Sequence, residues 1–262
     1  MDAVSPWIEP RGTAAACDTA SRLVYVRPVT TELVAYTLAD NVATVTMDDG
    51  KANALSKDMI DALLAALTRA ESEAGAMVLA GRPDRFCAGF DLRVMMSGPE
   101  NAKALLGAGS ELLLRLYGAT IPLVIACTGH ALAGGALVVL TGDHRVGATG
   151  AFRIGLNEVA IGLPVPVLAM EFARDRLTAV ELPRATMMAQ IYDPETAVRA
   201  GYLDAIVAPD AVLATARTEA IRLAALAKSA YRATKKRLRG RSIAYIRASQ
   251  DEDLRDLMSP SA

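Results

Sequence analysis

Residues 129–146 read GHALAGGALVVLTGDHRV, and this stretch decides the fold. A short apolar segment passes through Gly134 and Gly135 into a run of large apolar residues. The pattern predicts a buried strand, a turn and a buried helix, whose first amides lack partners and lie at the positive end of the helix dipole. Taken alone, the glycines favour a simpler interpretation, close packing of a helix on a strand.

A second segment, RFCAGFDL at residues 85–92, has a similar arrangement. A strand and loop end in Ala88-Gly89 and a helix is predicted to begin near Asp91, which leaves the amide of Phe90 unpaired. Two amides that converge from separate loops form an oxyanion hole, a site that stabilises negative charge on a carbonyl oxygen. The two segments together therefore favour such a site over simple packing.

Strands that alternate with helices indicate an α/β fold. Residues 34–38 and 42–47 are rich in β-branched residues and flank turn formers, which predicts a β-hairpin. Ser56 is predicted to cap a helix that runs to about Glu73. Further strands are predicted over residues 76–80 and 123–127, and their crossover connections imply parallel strands under covering helices.

Periodic helices dominate the carboxyl-terminal part, with helices predicted over residues 212–226 and 243–257. Residues 1–32 contain three prolines and no sustained period. We therefore divide the chain into an amino-terminal extension (1–32), an α/β core (33–205) and a helical carboxyl-terminal part (206–262).

Composition excludes several functions. The 28 basic and 29 acidic residues give a net charge of −1, so no overall field attracts nucleic acid or an anionic membrane, and we predict no nucleic-acid partner. The most apolar window, residues 121–140, contains the polar turn Thr128-Gly129-His130, which would be costly in lipid, so we predict no membrane span. Cys17, Cys87 and Cys127 have neither zinc nor disulfide spacing, and residues 1–10 do not resemble a signal peptide, which predicts a cytoplasmic protein without a metal. Phosphate-loop, nucleophile-elbow and zinc-protease motifs do not occur in the sequence, which leaves carboxylate chemistry supported by backbone amides.

Five segments, taken in order, resemble the crotonase or enoyl-CoA hydratase/isomerase superfamily. They are NALS (53–56), FCAGFDL (86–92), GHALAGGALVVLTGDHRV (129–146), GLNEVAIGLPVP (155–166) and AVRAGYLD (197–204). The resemblance implies an α/β fold, a spiral of ββα units with a helical carboxyl-terminal part. It also implies an enzyme of fatty-acid metabolism in which the amides of Phe90 and Gly134 polarise the thioester oxygen of an acyl-CoA. Coenzyme A would be part of the substrate, with no tightly bound cofactor, and the protein would be a homotrimer or a dimer of trimers.

The carboxylates distinguish branches of this superfamily. Hydratases resemble one another in having two glutamates, whereas this chain has Leu137 at the first position and Glu158 at the second. One carboxylate is enough to move a double bond from position 3 to position 2, by taking a proton from C2 and returning it to C4. The run GLNE resembles the mitochondrial type of 3-enoyl-CoA to 2-enoyl-CoA isomerase, which implies that Glu158 is the proton shuttle. Apolar neighbours are expected to raise its pKa: Ile154, Leu156, Val159 and Ile161.

Alternatives remain open from the residues themselves. From local sequence alone, Glu158 is equally a surface or capping residue. An enoyl-CoA hydratase-like enzyme or a hydrolase, with its second polar group supplied elsewhere, and a non-catalytic acyl-CoA binding protein would share the same oxyanion hole. Glu158 argues against pure binding, and Leu137 argues against the addition of water.

The resemblance also implies acyl-CoA contacts from several positions: Lys51, Ala52, Leu55, Ala88, Asp91, Leu92 and Leu137. Asp91 is also explained as the N-cap of the next helix, and Asp143 as a cap or ion-pair partner. The acyl pocket is expected to include Leu92, Met95, Leu113 and Leu140. Residues 232–241 hold six cations and no acid, which predicts either a solvated helix face or contacts of one or two cations with the phosphates of coenzyme A.

Overall fold

The structure is a computed structural model that describes residues 29–30 and 33–258. Most of the predicted extension lies outside these residues. The strands are β1 (Val29–Thr30), β2 (Val34–Ala39), β3 (Val42–Met47), β4 (Ala76–Ala80), β5 (Asp84–Cys87), β6 (Leu123–Cys127), β7 (Gly129–Leu132), β8 (His144–Ala148), β9 (Ile154–Gly155) and β10 (Ala205–Val207). The helices are α1 (Lys57–Glu73), α2 (Leu92–Met95), α3 (Pro99–Tyr117), α4 (Gly134–Thr141), α5 (Val167–Arg176), α6 (Glu181–Thr186), α7 (Pro194–Ala200), α8 (Val212–Ala224) and α9 (Lys228–Met258).

The main sheet has the strand order β1-β2-β3-β4-β6-β8-β10. β2 and β3 form the predicted antiparallel hairpin, and Asp40 and Asn41 at its turn both have positive φ (54° and 61°), as a two-residue hairpin turn requires. From β3 onward the strands pair in parallel. The predicted α/β fold with parallel strands is therefore confirmed.

Alternate residues of the central strands face opposite sides of this sheet, as the period of a strand requires. In β6, Leu123, Ile125 and Cys127 join the larger core under α1 and α3, whereas Val124 and Ala126 join a second core. α8 covers this second core. Both faces of the sheet are thus buried, which explains the continuous apolar runs of its strands.

Helix α1 begins where its sequence predicts. The Ser56 side chain accepts a hydrogen bond from the Met59 amide at 3.2 Å, and the helix ends at Glu73. Its buried face holds Met59, Ile60, Leu63, Ala66, Leu67 and Ala70. One apolar stripe and one capping hydroxyl are therefore enough to fix both its start and its orientation.

The carboxyl-terminal part differs from the prediction in two respects. A single helix, α9, spans Lys228–Met258, so the second predicted helix begins fifteen residues earlier than residue 243. A further strand, β10, pairs with β8, and the predicted boundary between residues 205 and 206 falls within it. The division into domains remains a prediction. Across the described residues, none of the helices combines the length and apolar character that a bilayer span needs.

A buried ion-pair network joins α9 to the core. Asp143 lies 2.7 Å from the Lys235 ammonium and 3.0 Å from the Arg239 guanidinium, and it accepts a hydrogen bond from the Leu123 amide at 2.8 Å. Lys235 and Arg239 are 6% and 2% exposed. The prediction that residues 232–241 form a solvated face or meet phosphates is therefore wrong for these two cations, because both are buried and pair with Asp143. The predicted pairing role of Asp143 is confirmed.

Candidate active site

A small second sheet of parallel strands, β5-β7-β9, collects the predicted site residues. The carboxyl ends of parallel strands meet at one edge. Phe90 follows β5, Gly134 follows β7 and Glu158 follows β9. Because β7 lies in the centre, Gly134 lies between the segments that carry the other two residues.

Hydrogen bonds hold the loop after β5 against residues 52–55. The Ala88 amide donates to Ala52 at 3.0 Å, and the Leu55 amide donates to the Gly89 carbonyl at 2.8 Å. The Asp91 amide donates a hydrogen bond to the Leu55 carbonyl at 3.3 Å. This pairing brings together four of the positions that were predicted to bind acyl-CoA, namely Ala52, Leu55, Ala88 and Asp91.

Within the described part of the chain, the backbone amides of Phe90 and Gly134 lack a hydrogen-bond acceptor. Neither donates a hydrogen bond to any other described residue. Ala133 turns the chain from β7 into α4 with φ 48° and ψ −123°, a conformation that is costly for an L-residue and is concentrated at functional sites. A Cβ added to Gly135 would lie 2.0 Å from the Cys87 carbonyl oxygen. The two loops are therefore in close contact, and only glycine fits between them.

Glu158 is a buried carboxylate that is only partly satisfied. Glu158 follows β9 in sequence. The Ala133 amide donates a hydrogen bond to the Gly155 carbonyl at 3.0 Å, and this bond holds the end of β9 beside the start of α4. Glu158 is 8% exposed, and its Oε2 has no hydrogen-bond partner among the described residues. Burial raises its pKa, although the amides of Glu158 and Asn157 partly oppose this. A buried carboxylate with a raised pKa and a free oxygen is suited to accept and release a proton.

The predicted surroundings of Glu158 are only partly correct. Ile154 and Leu156 are buried, but Val159 and Ile161 are 44% and 54% exposed. Both belong to a short 3₁₀ turn that begins after Glu158, and such a tight turn directs successive side chains away from one another. Of the four predicted neighbours, only the two that precede Glu158 are therefore buried with it.

An apolar cavity of about 50 Å³ adjoins the start of α4. Its lining includes Phe90 and Leu137, and Leu113 from α3. Of the four residues expected in an acyl pocket, only Leu113 lines it; Leu92 is 65% exposed because it lies on the outer side of the short helix α2. Leu137, the residue in the position of the first hydratase glutamate, is 3% exposed.

Helix α9 lines one side of this cavity, which the sequence did not indicate. Gln250, Asp253, Leu254 and Leu257 line it. The carboxylate of Asp253 accepts a hydrogen bond from the Val167 amide at 2.9 Å, which joins α9 to the start of α5. The only signal in the sequence was the periodicity of residues 243–257, which predicts a helix but not its location.

The remaining predicted positions have different roles. Lys51 is exposed, and its carbonyl accepts a hydrogen bond from Arg82 at 2.9 Å. The Asp91 side chain accepts from the Arg93 amide at 2.9 Å and caps α2, which confirms the structural interpretation of this residue. His130 Nδ1 accepts a hydrogen bond from the Arg153 amide at 3.1 Å.

Asn53, the first residue of the NALS segment, has a positioning role that the sequence did not indicate. It is fully buried with φ 52°, and its Nδ2 donates to the carbonyls of Met47, Arg85 and Phe86, each at 3.1 Å. It thus joins the main sheet to the strand that leads to Phe90. Asparagine tolerates the left-handed region, and this preference was the only signal for its role.

The two sheets, the covering helices and the edge that gathers two free amides and a carboxylate define a protein of the crotonase class. An enoyl-CoA isomerase of Mycobacterium tuberculosis has the same fold, with a TM-score of 0.82, 41% identity and coverage of 86% of this chain and 99% of that one. An enoyl-CoA hydratase of Mycobacterium ulcerans has a TM-score of 0.80, 42% identity and coverage of 86% and 97%. The chain belongs to the enoyl-CoA hydratase/isomerase family, whose model matches residues 37–254.

A human relative is named enoyl-CoA delta isomerase 1, mitochondrial. This chain is 29% identical to it over 223 residues, which cover 83% of this chain and 74% of the relative. The predicted family, its crotonase fold and its enzymatic nature are therefore confirmed. The similar proteins include both isomerases and hydratases.

Proposed function

We propose that this chain is a 3-enoyl-CoA to 2-enoyl-CoA isomerase. The observation that carries the proposal is a single buried carboxylate, Glu158, at the sheet edge where Phe90 and Gly134 present free amides. The apolar side chain of Leu137 lines the adjoining cavity. A hydratase needs a second group to activate water, and Leu137 occupies the position where the hydratases of the family resemble one another in having a glutamate.

In the proposed reaction, Glu158 takes a proton from C2 of a 3-enoyl-CoA. The electrons of the broken C–H bond move toward the thioester carbonyl and give an enolate, whose oxygen accepts hydrogen bonds from the amides of Phe90 and Gly134. Glu158 then returns the proton to C4 while the double bond forms between C2 and C3. Each such amide is typically worth about 3 kcal/mol in the transition state, and no cofactor is required.

Coenzyme A would bind as part of the substrate. The paired backbone segments 52–55 and 88–91 support this binding, since they offer a continuous main-chain edge next to the free Phe90 amide. Lys235 and Arg239 pair with Asp143. The candidates for binding the phosphates of coenzyme A are therefore the exposed cations of the basic stretch: Arg232, Lys236, Arg237 and Arg241.

We also propose a homotrimer or a dimer of trimers. Val180, Met187 and Met188 expose between 67% and 69% of their surface in the single chain, and large exposed apolar side chains are typical of subunit contacts. Light scattering should give at least three times the mass of one chain, and the mass of a single chain would contradict the proposal. The cytoplasmic location stays a prediction; the human relative is named mitochondrial.

The test of the reaction is Glu158→Gln. Glutamine keeps the shape and polarity of the side chain but cannot accept the C2 proton, so turnover of 3-enoyl-CoA should fall about 100- to 10,000-fold with little change in acyl-CoA affinity. Glu195→Gln, at an exposed position on α7, is the matched control and should retain full activity.

Parallel assays separate the alternatives. The wild-type protein should isomerise 3-enoyl-CoA, exchange the C2 hydrogen in deuterated buffer and hydrate 2-enoyl-CoA poorly, and Leu137→Glu should increase hydration. Efficient hydration by the wild-type protein would favour a hydratase. Tight acyl-CoA binding without turnover of either substrate would favour a binding protein. Normal isomerisation by Glu158→Gln would refute the assignment of the base.

A further inference from the structure

Helix α4, which presents the Gly134 amide at its amino end, is buried along its whole length. The last carbonyls of a helix have no partner within it, and burial denies them water. In α4 and its C-cap these carbonyls belong to Leu140, Thr141 and Gly142. Their hydrogen bonds must therefore come from other side chains.

Two arginines from different helices supply those hydrogen bonds. Arg239 of α9 donates to the Thr141 carbonyl at 3.0 Å and to the Gly142 carbonyl at 3.4 Å. Arg176 of α5 donates to the Leu140 carbonyl at 3.3 Å and also to Gly142. Two cations thus lie at the negative end of the α4 dipole, where positive charge is stabilising.

Local carboxylates balance these cations unequally. Asp143 lies 3.0 Å from Arg239, but it also forms an ion pair with Lys235. Asp175 lies 3.5 Å from Nε of Arg176, and the Arg176 side chain is 15% exposed. The Arg176–Asp175 pair is thus longer than either pair of Asp143, and the Arg176 guanidinium directs two N–H groups at the carbonyls of α4 and its C-cap.

We infer that Arg176 and Arg239 are positioning residues for the oxyanion hole, acting through α4. Their hydrogen bonds fix the axial position of the helix and hence the direction of the Gly134 amide, and their charge complements the negative end of the dipole. The field at the amino end then favours negative charge on the thioester oxygen. This inference rests on the proposed function of the Gly134 amide.

The size of the effect follows from the length of α4. Eight residues at 1.5 Å each place the two ends of the helix about 12 Å apart. One elementary charge at that distance, with an effective dielectric constant of about 20, changes the rate by roughly tenfold. Arg176 is the better residue to test, because its partial exposure lets water solvate a substitute side chain.

The experiment compares Arg176→Lys with Arg176→Gln. Both variants keep a hydrogen-bond donor, but only lysine keeps the charge. Arg174→Gln, two residues earlier on α5 and 57% exposed, is the matched control. Two quantities are measured: kcat and KM for 3-enoyl-CoA, and the red shift in absorption of a bound 2,4-dienoyl-CoA, which reports how strongly the site polarises the thioester carbonyl.

Arg176→Gln should lower kcat about tenfold and reduce the red shift, with KM nearly unchanged, whereas Arg176→Lys and Arg174→Gln should resemble the wild-type protein. Asp175→Asn leaves the arginine in place and removes a negative charge, so it should increase the red shift even if the Arg176 variants fold poorly. Equal red shifts in the lysine, glutamine and asparagine variants would overturn the inference. A wild-type protein that shifts the absorption of the dienoyl-CoA but does not isomerise 3-enoyl-CoA would instead refute the proposed function alone.

Discussion

Asp143→Asn should be among the most destabilising polar substitutions in this protein. Asparagine still offers an oxygen to the Leu123 amide, but it removes the negative charge that lies 2.7 Å from Lys235 and 3.0 Å from Arg239. Two almost fully buried cations then lose their nearest counter-charge. Removing one partner of a buried ion pair typically costs about 3–5 kcal/mol, so the free energy of unfolding should fall by about that amount.

Equilibrium unfolding in urea, followed by circular dichroism, measures this loss. Asp61→Asn is the control, because Asp61 pairs with Lys57 on an exposed surface of α1 and exposed pairs contribute little. Adding Lys235→Met to Asp143→Asn should recover part of the loss, since it removes one unpaired charge. A loss below about 1 kcal/mol in the single variant would refute the argument that the network is electrostatically essential.

The same network predicts a pH dependence of stability. Burial alone would raise the pKa of Asp143, but Lys235 and Arg239 hold it below its ordinary value of 3.8. A carboxylate whose folded-state pKa is lowered contributes stability above the unfolded-state pKa and loses it as the pH falls through the folded-state pKa. The wild-type protein should therefore lose stability below about pH 4, and the difference from Asp143→Asn should shrink over the same interval.

Three other predictions concern the site and its surroundings. A Cβ at Gly109 would lie 2.1 Å from the Phe90 ring. Gly109→Ala should therefore displace the Phe90 amide and reduce isomerase kcat/KM about 10- to 100-fold. The control is Gly107→Ala on the same helix, where an added Cβ would meet nothing within 4 Å, and it should have no effect. Because burial raises the pKa of Glu158 and only the carboxylate accepts a proton, kcat should fall with decreasing pH through a value above the ordinary 4.5; constant turnover down to that pH would contradict the assignment. Burial raises the pKa of Cys87 to about 12, so mass spectrometry should detect alkylation of this thiol by iodoacetamide only after unfolding, and rapid labelling of the native protein would disprove its burial.

Local signals predicted most of the core. Ser56 and the apolar stripe that follows it determine α1, and the pair Asp40-Asn41 determines the hairpin turn, because these choices depend only on neighbouring residues. The same holds for β6, an unbroken apolar run of five residues. The edge that carries Phe90 and Gly134 was predictable for a related reason, since glycines mark both turns.

Long-range contacts determined what the sequence did not indicate. Residues 232–241 suggest a solvated surface because nothing near them in sequence is acidic; the partner of Lys235 and Arg239 lies about 90 residues away, at Asp143. Their polar character also concealed the continuity of α9. β10 was missed because three residues are too few for a period to be visible. The place of Asp253 in the cavity lining depends on packing rather than on pattern.

Helices α8 and α9 follow in sequence most of the strands that they cover, which has a consequence for synthesis on the ribosome. α8 covers one face of the main sheet, and Ile246 of α9 belongs to the core on the other face. The apolar strands β3, β4, β6 and β8 are translated long before either cover exists. Uncovered apolar faces and strand edges promote aggregation. A nascent chain that stops before residue 212 should therefore depend on chaperones to avoid aggregation.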